Sequence, residues 1–352
     1  MYNSKDILII GGGIAGAFLQ RELSLYHKIS VYWVDNNHFC SSSILAAGIT
    51  NPITGKRITL NPKSELLIQK RKEWQQKDEL FARYFVEKNV FRPFKSIDEV
   101  NSWTSRSAYM PVTLHYNNPE PKYIHAELGG IEIHDAGYMQ VNEFLHEAKK
   151  QGNCINTKVN YQDLVVEKQQ ILWKKENIAF KHIVFCEGNQ IIHNPFISYS
   201  PVIPTKGEIL EIEVKEPICK QFMYSTGIYI VPKPNNKYFV GATYTPNSMD
   251  TSITEQGKSE LLDKLNTFIK VSYRITGHWA GIRPTTSDRE PFIGKHPEYE
   301  NVWIFNGLGS KGVFYAPFLA ECLSKSILYQ ETIPAEFTYR KTLKFQDNNF
   351  LQ

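Results

Sequence analysis

An apolar strand, a glycine-rich turn and a helix follow one another at the start of the chain. Residues 7–10 read ILII, residues 11–16 read GGGIAG, and the helical stretch AFLQRELSLY leads to a second strand, ISVYWVD, which ends at Asp35. This order predicts a βαβ unit, because strands joined through an amphipathic helix pair in parallel. We therefore expect the chain to fold around a parallel sheet with helices on its faces.

The glycine spacing in this turn indicates a dinucleotide site. A G-x-G-x-x-G sequence lets the chain turn sharply, brings backbone N–H groups against a pyrophosphate and lets the helix pack tightly on the strand. The helix N-terminus supplies the positive end of a dipole, and the acid that ends the second strand accepts a ribose hydroxyl. An ordinary tight turn of an α/β protein is the alternative, and the motif does not distinguish NAD from FAD. The predicted binding residues are Gly11, Gly13, Ile14, Ala15, Gly16 and Asp35.

Small residues that follow Asp35 predict a second contact with the same ligand. The segment CSSSILAAGITNPITGKR at 40–57 permits close backbone approach to a flat ring, and its serine hydroxyls suit phosphate or ring edges. An ordinary Ser/Gly loop is the alternative. Further along, the apolar strand HIVFC runs into Gly188, which either reaches the ligand or closes a simple turn. The residues assigned to the ligand in these segments are Ser42, Ser43, Ala47, Gly48 and Gly188.

The composition argues against several other classes of protein. With 42% hydrophobic residues over 352 positions, the chain can bury one large core or two ordinary ones. The 40 basic residues are offset by 36 acidic ones, so nucleic acid binding is permitted but not indicated. The five cysteines are scattered without a C-x-x-C pair, which argues against a zinc cluster or disulfide framework and suits a cytoplasmic protein. No apolar run is long enough to span a membrane, and no cluster has metal-ligand spacing, so we predict no metal.

Four motifs lie in a fixed order along the chain. They are IGGGIAG, GIYIVPKPNNKYFVGATY, WAGIRPTTSDREPFIG and GLGSKGVFYAPFLAECL. In this order they resemble the FAD-dependent D-amino acid oxidase family, and the similarity is greatest to glycine oxidase and to the oxidase half of the bifunctional enzyme that modifies the wobble uridine of tRNA. The resemblance implies FAD as cofactor and hydride transfer from a C–N bond to flavin N5, which gives an imine that hydrolyses. No cysteine lies in the GIRPTT motif, so we expect the FAD to be non-covalent.

The resemblance also implies an α/β fold with domains that are discontinuous in sequence. We predict a Rossmann-like FAD-binding domain formed by residues 1–85, 136–200 and 276–352, and an antiparallel-sheet substrate domain formed by residues 86–135 and 201–275. Within the first, residues 63–85 predict one charged helix whose basic run faces solvent.

Arg283 is a permanent charge in a stretch that otherwise reads like a buried turn. The residues alone leave two roles open, a salt bridge with Asp288 or Glu290 and a contact with a ligand. The resemblance implies the second role, in which the guanidinium grips the substrate carboxylate through two parallel hydrogen bonds. It also implies that the Tyr229 hydroxyl faces this carboxylate from the other side of the pocket, where a plain core aromatic is the alternative. We therefore predict Arg283 and Tyr229 as catalytic residues.

The C-terminal motif implies a helix N-terminus that points at flavin N1 and O2. Its partial positive charge, with Lys311 nearby, would stabilise the anionic reduced flavin. Pro317 is expected early in this helix, where its missing N–H costs least. Glycine oxidase has an arginine–asparagine pair where this chain has Ser310 and Lys311, a pattern nearer the tRNA-modifying oxidase. The predicted cofactor residues here are Gly307, Gly309, Ser310, Lys311 and Gly312.

These observations leave three hypotheses for the function. The leading one is oxidation of the C–N bond of a small amino acid or secondary amine. The second is a tRNA-modifying oxidase acting on a carboxymethylaminomethyl uridine, although no dense basic groove is evident and the fused methyltransferase half is absent from the sequence. The third is an NAD-linked dehydrogenase or a flavin-binding protein without turnover, and the C-terminal motif argues against NAD.

Overall fold

The chain divides into two compact units. A computed structural model describes residues 3–36, 41–54, 59–197, 199–218 and 221–339. The first unit is formed by Met1–Ala46, Val141–Thr205 and Ile282–Gln352, and the second by Ala47–Gln140 and Lys206–Gly281. The main difference from the expected boundaries concerns residues 47–85, which we assigned to the FAD-binding domain and which cluster with the second unit.

The strands and helices of the described residues alternate along the chain. The strands are β1 Asn3–Ile10, β2 Val31–Asp35, β3 Ile49–Thr50, β4 Ile53–Thr54, β5 Thr59–Leu60, β6 Phe85–Glu87, β7 Val90–Pro93, β8 Val112–His115, β9 Gly130–Ile133, β10 Gly137–Met139, β11 Ile155–Asn156, β12 Leu164–Val166, β13 Ile171–Trp173, β14 Ile178–Phe185, β15 Ile203–Val214, β16 Met223–Ser225, β17 Tyr229–Lys233, β18 Lys237–Gly241, β19 Thr245–Pro246, β20 Tyr273–Thr285, β21 Phe292–Lys295 and β22 Val302–Asn306. The α-helices are α1 Ile14–Arg21, α2 Ser64–Lys77, α3 Glu79–Tyr84, α4 Ile97–Arg106, α5 Val141–Gln151, α6 Glu255–Asn266 and α7 Gly312–Tyr329.

The first unit contains an eight-stranded sheet with the predicted βαβ unit at its centre. The strand order β11-β2-β1-β14 continues into β13 and β12, and β22 pairs with both β14 and β21. β1 lies parallel to its two neighbours, with Ile10 opposite Val34 on β2 and Phe185 on β14. β22 is also parallel to β14. The predicted α/β fold is confirmed.

Both faces of this sheet are buried, as expected for parallel strands. Along β1, Leu8 and Ile10 join one apolar cluster, while the alternating Ile7 and Ile9 are fully buried on the other face. Each such side chain contributes roughly 1.5 to 3 kcal/mol when it leaves water. Helix α5 buries four apolar positions that lie on one of its faces, Val141, Phe144, Leu145 and Ala148.

The second unit contains a nine-stranded, largely antiparallel sheet. Its order is β19-β15-β18-β17-β16-β7-β9-β8, with β20 paired to β15. Side chains of β17 alternate between two faces. Ile230 faces the apolar cluster that includes Leu261 of α6, and Tyr229 and Val231 face the cluster that includes Trp103 of α4. The polar candidate Tyr229 is therefore on the α4 face of this sheet.

The charged stretch at 63–85 forms two helices rather than one. α2 ends at Lys77, and Asp78 begins α3 by accepting the Phe81 N–H at 2.8 Å, as a helix N-cap does. The expectation that the basic run faces solvent is wrong at Arg71, which is 1% exposed and lies 4.7 Å over the Phe85 ring. The Arg71 guanidinium also pairs with Glu87 Oε1 at 3.1 Å, and this ion pair and the cation–π contact offset the cost of burying the charge.

None of the helices in the described part of the chain is long and apolar enough to cross a membrane.

Candidate functional site

The carboxyl ends of the parallel strands in the first unit meet along one edge of the sheet. Asp35 ends β2, Gly11 follows β1, Glu187 and Gly188 follow β14, and Gly307 follows β22. In open α/β sheets, ligands bind outside this edge. The parallel register therefore brings together residues from four distant parts of the sequence, and most of them are predicted cofactor residues.

The glycine turn is sterically closed to larger residues. A Cβ atom at Gly11 would lie 2.3 Å from the Cys186 carbonyl oxygen, and Gly11 has a φ of +116°, which only glycine adopts readily. A Cβ atom at Gly16 would lie 1.9 Å from the Gly11 carbonyl oxygen. Gly11 thus allows the turn to pack closely against the end of β14. Gly16 allows α1 to pack closely against the turn.

The N-terminus of α1 contacts the second segment that we assigned to the ligand, the one that contains Ser42 and Ser43. The helix begins after the N-cap Gly13 and has no acidic residue in its first turn. Its first N–H group, from Ile14, donates to Ser43 Oγ at 3.2 Å, and Ser41 forms a parallel bridge with Ile282. The segment that contains Ser42 is therefore fixed between the glycine turn and the strand that carries Arg283.

Asp35 has a cationic partner that the sequence did not reveal. Lys149, in the last turn of α5, donates to Asp35 Oδ2 at 2.5 Å. A Cβ atom at Gly12 would lie 2.6 Å from both Asp35 Cγ and Lys149 Cε. The ion pair therefore lies directly against the glycine turn, where we predicted only the carboxylate.

The end of β20 lies next to the C-terminal glycine loop. Arg283 is half-buried, rather than fully buried as the sequence suggested. The neighbouring Pro284 carbonyl accepts the Gly309 N–H at 3.0 Å, and a Cβ atom at Gly188 would lie 4.0 Å from Pro284 Cγ. The first unit thus brings the strand of Arg283 together with two predicted cofactor loops.

A second helix N-terminus lies beside the first. Gly307 and Gly309 have φ of +75° and +52°, and after Ser310 and Lys311 the chain enters α7 without an acidic residue in the first turn. A Cβ atom at Gly312 would lie 3.4 Å from Ile14 Cγ2, so the starts of α7 and α1 are neighbours. Two helix N-termini without acidic residues form a region that favours anions.

Pro317 does not lie where we expected it in α7. It lies inside α7, beyond the first turn, and not at the start as expected. The Val313 carbonyl therefore loses its intrahelical partner, because proline has no N–H.

The second unit holds Tyr229 together with Asn51, which the sequence did not single out. The Tyr229 hydroxyl accepts the Asn51 Nδ2–H at 2.9 Å. Burial raises the pKa of the Tyr229 phenol, while hydrogen bonds from Asn51 and Ser225 and the charge of Arg92 oppose that rise. The predicted cofactor residues Ala47 and Gly48 also belong to this unit, where the Gly48 carbonyl accepts the Met139 N–H at 3.0 Å.

Glu187 is a buried acid at the carboxyl edge of the first unit's sheet. Its carboxyl group accepts the Tyr161 hydroxyl at 2.5 Å and the Asn194 side-chain amide at 2.7 Å. Burial raises the pKa of Glu187 to about 7, although both hydrogen bonds act to lower it. The carboxyl group is therefore partly protonated at neutral pH.

The described residues contain no group of His, Cys, Asp and Glu side chains suited to a metal ion. His278 pairs its Nε2 with Glu208 Oε2 at 2.8 Å. Among the cysteines in that part of the chain, Cys154 and Cys186 are free thiols.

The chain is similar in sequence to known proteins. A family model for FAD dependent oxidoreductase matches residues 6–326. The glycine oxidase of Geobacillus kaustophilus (strain HTA426) is 29% identical over 134 residues, which are 37% of this chain and 36% of that protein. The tRNA 5-methylaminomethyl-2-thiouridine biosynthesis bifunctional protein MnmC of Shewanella halifaxensis (strain HAW-EB4) is 23% identical over 391 residues, 92% of this chain and 60% of that protein. The chain thus spans less than two thirds of the length of each of these relatives.

The fold is also similar to that of solved structures. The crystal structure of glycine oxidase from Geobacillus kaustophilus superposes with a TM-score of 0.79 at 22% sequence identity, over 96% of this chain and 98% of that one.

Proposed function

The chain belongs to the family of FAD-dependent oxidoreductases, and we propose on this premise that it oxidises the C–N bond of a small amino acid or secondary amine. FAD, rather than NAD, is the cofactor of this family. The product of the proposed reaction is an imine, which water hydrolyses.

The residues of the first unit fit FAD. A diphosphate requires backbone N–H donors and no opposing acid, which the N-terminus of α1 offers after Gly13. Asp35 suits a ribose hydroxyl, with Lys149 holding the carboxylate in place. Glycine is required at Gly11 and Gly16 because a Cβ atom there would collide with backbone oxygens. When bound, FAD supplies the hydride acceptor.

In this proposal, the remaining task of the protein is to fix the substrate. The Arg283 guanidinium would bind the carboxylate in a bidentate manner, which sets both the position and the plane of the substrate. Tyr229 would give a further hydrogen bond to that carboxylate. Alignment of the reacting carbon accounts for much of the rate in such reactions, because effective molarities of well-oriented groups are very high.

A single observation carries this proposal. The Pro284 carbonyl, next to Arg283, binds the N–H of Gly309 in the loop that leads to α7. A guanidinium beside the glycine loops is the arrangement that we propose for binding the carboxylate of an amino acid. It supports a small carboxylate-bearing amine over a substrate without an anionic group.

Anaerobic titration of the purified flavoprotein tests this function. We expect glycine, sarcosine or another small amino acid to bleach the visible flavin absorbance, and the matched amines that lack a carboxylate, methylamine and dimethylamine, to leave it unchanged. If no amino acid or N-methyl amino acid reduces the flavin, the proposed substrate class is wrong.

A second candidate is a tRNA-modifying oxidase. It is favoured by the alignment with the bifunctional tRNA protein over 92% of this chain. The sequence Gly309-Ser310-Lys311 also resembles the pattern expected of the tRNA-modifying oxidase more than that of glycine oxidase. The carboxymethylaminomethyl group is itself glycine-like, so Arg283 would serve the same purpose. Bleaching by tRNA that carries this group, but neither by unmodified tRNA nor by free amino acids, would identify this function.

A further inference from the structure

Asn51 joins a backbone turn to the Tyr229 hydroxyl within the second unit. Its Oδ1 accepts the Ile53 N–H at 3.0 Å, and its Nδ2 donates to the Tyr229 hydroxyl oxygen at 2.9 Å. The Asn51 side chain is 5% exposed. β3 ends directly before this residue and β4 begins soon after it, so the backbone on both sides is held in a strand.

These two hydrogen bonds fix which way the Asn51 amide points. A backbone N–H can only donate, so the amide atom that meets Ile53 must be the oxygen. The other amide atom, at Tyr229, must then be the NH2 group, which can only donate. The Tyr229 oxygen is therefore an acceptor toward Asn51, and its own proton points elsewhere.

The surroundings keep that proton on Tyr229. Burial raises the pKa of the phenol, so the hydroxyl remains neutral at physiological pH even though Asn51, Ser225 and Arg92 oppose the rise. Arg92 is itself held by a salt bridge to Glu99 at 2.8 Å. Ser225 lies directly opposite Tyr229 on the neighbouring strand.

We propose that Asn51 is a positioning residue that makes Tyr229 a hydrogen-bond donor toward the substrate carboxylate, an inference that rests on the proposed function. A carboxylate presents only acceptor atoms, so it matches a hydroxyl that donates. A ligand with a pure donor group at this point, such as an ammonium, cannot accept the Tyr229 proton and makes the weaker match. Asn51 therefore favours carboxylate-bearing amines over diamines of similar size.

The substitution Asn51→Asp tests this direction of donation. The first carboxylate oxygen can still accept the Ile53 N–H, so the turn is preserved. The second oxygen can only accept, so Tyr229 must donate to it and loses its proton for the substrate. We expect the affinity for acetate, measured from the perturbation of the visible flavin spectrum, to fall by about tenfold at about pH 8.

A pH series and a double substitution separate positioning from damage to the fold. At about pH 5, protonation of the introduced buried carboxyl group should restore a donor toward Tyr229 and recover most of the acetate affinity relative to the parent protein at the same pH. Tyr229→Phe alone should weaken acetate binding, and adding Asn51→Asp to it should have a smaller effect than in the parent protein, because only repulsion between the two carboxylates is then left. Asn160→Asp is the matched control, because Asn160 makes the same bond to the N–H two residues on, from Gln162, at an exposed position.

The outcomes distinguish this inference from the proposed function. If the parent protein binds acetate and Asn51→Asp binds it equally well, or weakens binding to the same extent in the Tyr229→Phe background, Asn51 does not act through Tyr229. That result would leave the proposed function intact. If acetate does not perturb the parent flavin and no amino acid reduces it, the carboxylate site itself is absent, and both proposals fail.

Discussion

Lys149 and Asp35 are 114 residues apart in sequence, yet the ammonium group of the first lies 2.5 Å from the carboxylate of the second. Both side chains are largely buried against Gly12, with exposed fractions of 21% and 15%. The carboxylate that we assign to the ribose is thus held in one orientation before a nucleotide binds, which reduces the entropy lost on binding.

Removing either partner should weaken FAD binding. For Asp35→Ala, we expect a loss of about 1 to 3 kcal/mol, the usual contribution of a hydrogen bond to a charged group. For Lys149→Met, which leaves the carboxylate in place without its partner, we expect roughly 1 kcal/mol. Titration of the apoprotein with FAD, followed by quenching of flavin fluorescence, measures both. Lys150→Met changes the exposed neighbour in the same helix and should have no effect. Equal affinities for the two lysine variants would show that Lys149 plays no part in nucleotide binding.

Gly16→Ala should disrupt the glycine turn. Its new Cβ atom would lie 1.9 Å from the Gly11 carbonyl oxygen, so α1 must move away from the turn. We expect the free energy of unfolding to fall by at least about 2 kcal/mol and FAD to be lost during purification. Gly312→Ala is the matched control for the free energy of unfolding alone, since its Cβ atom would make only a 3.4 Å contact with Ile14. A stable, yellow Gly16→Ala protein would contradict the packing described for this turn.

Glu187 should make the protein less stable as the pH rises. Its pKa is raised to about 7 in the folded state, above that of an unfolded glutamate, so the folded protein binds the proton more tightly. The stabilisation is complete below the unfolded pKa and is lost as the pH rises through about 7. Between about pH 5 and pH 8, we expect this group to lower the free energy of unfolding by about 1 to 3 kcal/mol.

The variant Glu187→Gln isolates this contribution. Urea unfolding across the pH range should show a flatter dependence in the variant, because the amide does not titrate. Glu176→Gln alters an exposed carboxylate of the same unit and should keep the slope of the parent protein. Parallel curves for the parent and Glu187→Gln would mean that Glu187 is ionised in the folded protein.

Arg283→Lys tests whether the planar guanidinium group is needed to orient the substrate, because lysine keeps the positive charge and lacks that group. We expect the rate of flavin reduction at saturating substrate to fall by about a hundredfold, since a displacement of about 1 Å is that costly to an aligned transfer. The FAD content should stay at the parent level. Stopped-flow absorbance measures the rate, and Arg289→Lys, at an exposed neighbouring position, is the control. A variant that reduces its flavin at the parent rate would favour the alternative role of Arg283, a salt bridge with Asp288 or Glu290.

Acid should release the flavin, because we predict non-covalent FAD. After precipitation of the purified protein, the yellow colour should be found in the supernatant. A coloured pellet would contradict this prediction without affecting the identity of the cofactor.

The local patterns in the sequence were sufficient for the framework of the first unit. Strand, turn, helix and terminal acid are encoded within residues 7–35, and the short-range rules that join them do not depend on the rest of the chain. The alternation of side chains around Tyr229 also follows from a local rule, because successive side chains of a strand point to opposite faces of its sheet. The family and the FAD cofactor followed from the order of four motifs.

The residues that the sequence did not reveal act through long-range contacts. Lys149 reads as one of two lysines at the end of a helix, and only the packing of α5 beside β2 gives it a partner. Asn51 reads as a turn residue before a proline, and its contact with Tyr229 spans 178 residues. The prediction that Arg71 faces solvent was wrong because the Phe85 ring, which its guanidinium contacts, belongs to another element. No local pattern carries this information.

The discontinuity of the first unit has a consequence for the synthesis of the protein. β1 leaves the ribosome well before its neighbour on one side, β14, which ends at Phe185, and before β22, which pairs with β14 and ends at Asn306. At ordinary translation rates, the apolar edge of Ile7 to Ile10 remains open for on the order of ten seconds or more. An open apolar strand edge pairs readily with other chains. Slower translation would prolong this exposure, so the yield of folded enzyme should depend on nascent chains being shielded until β14 has emerged.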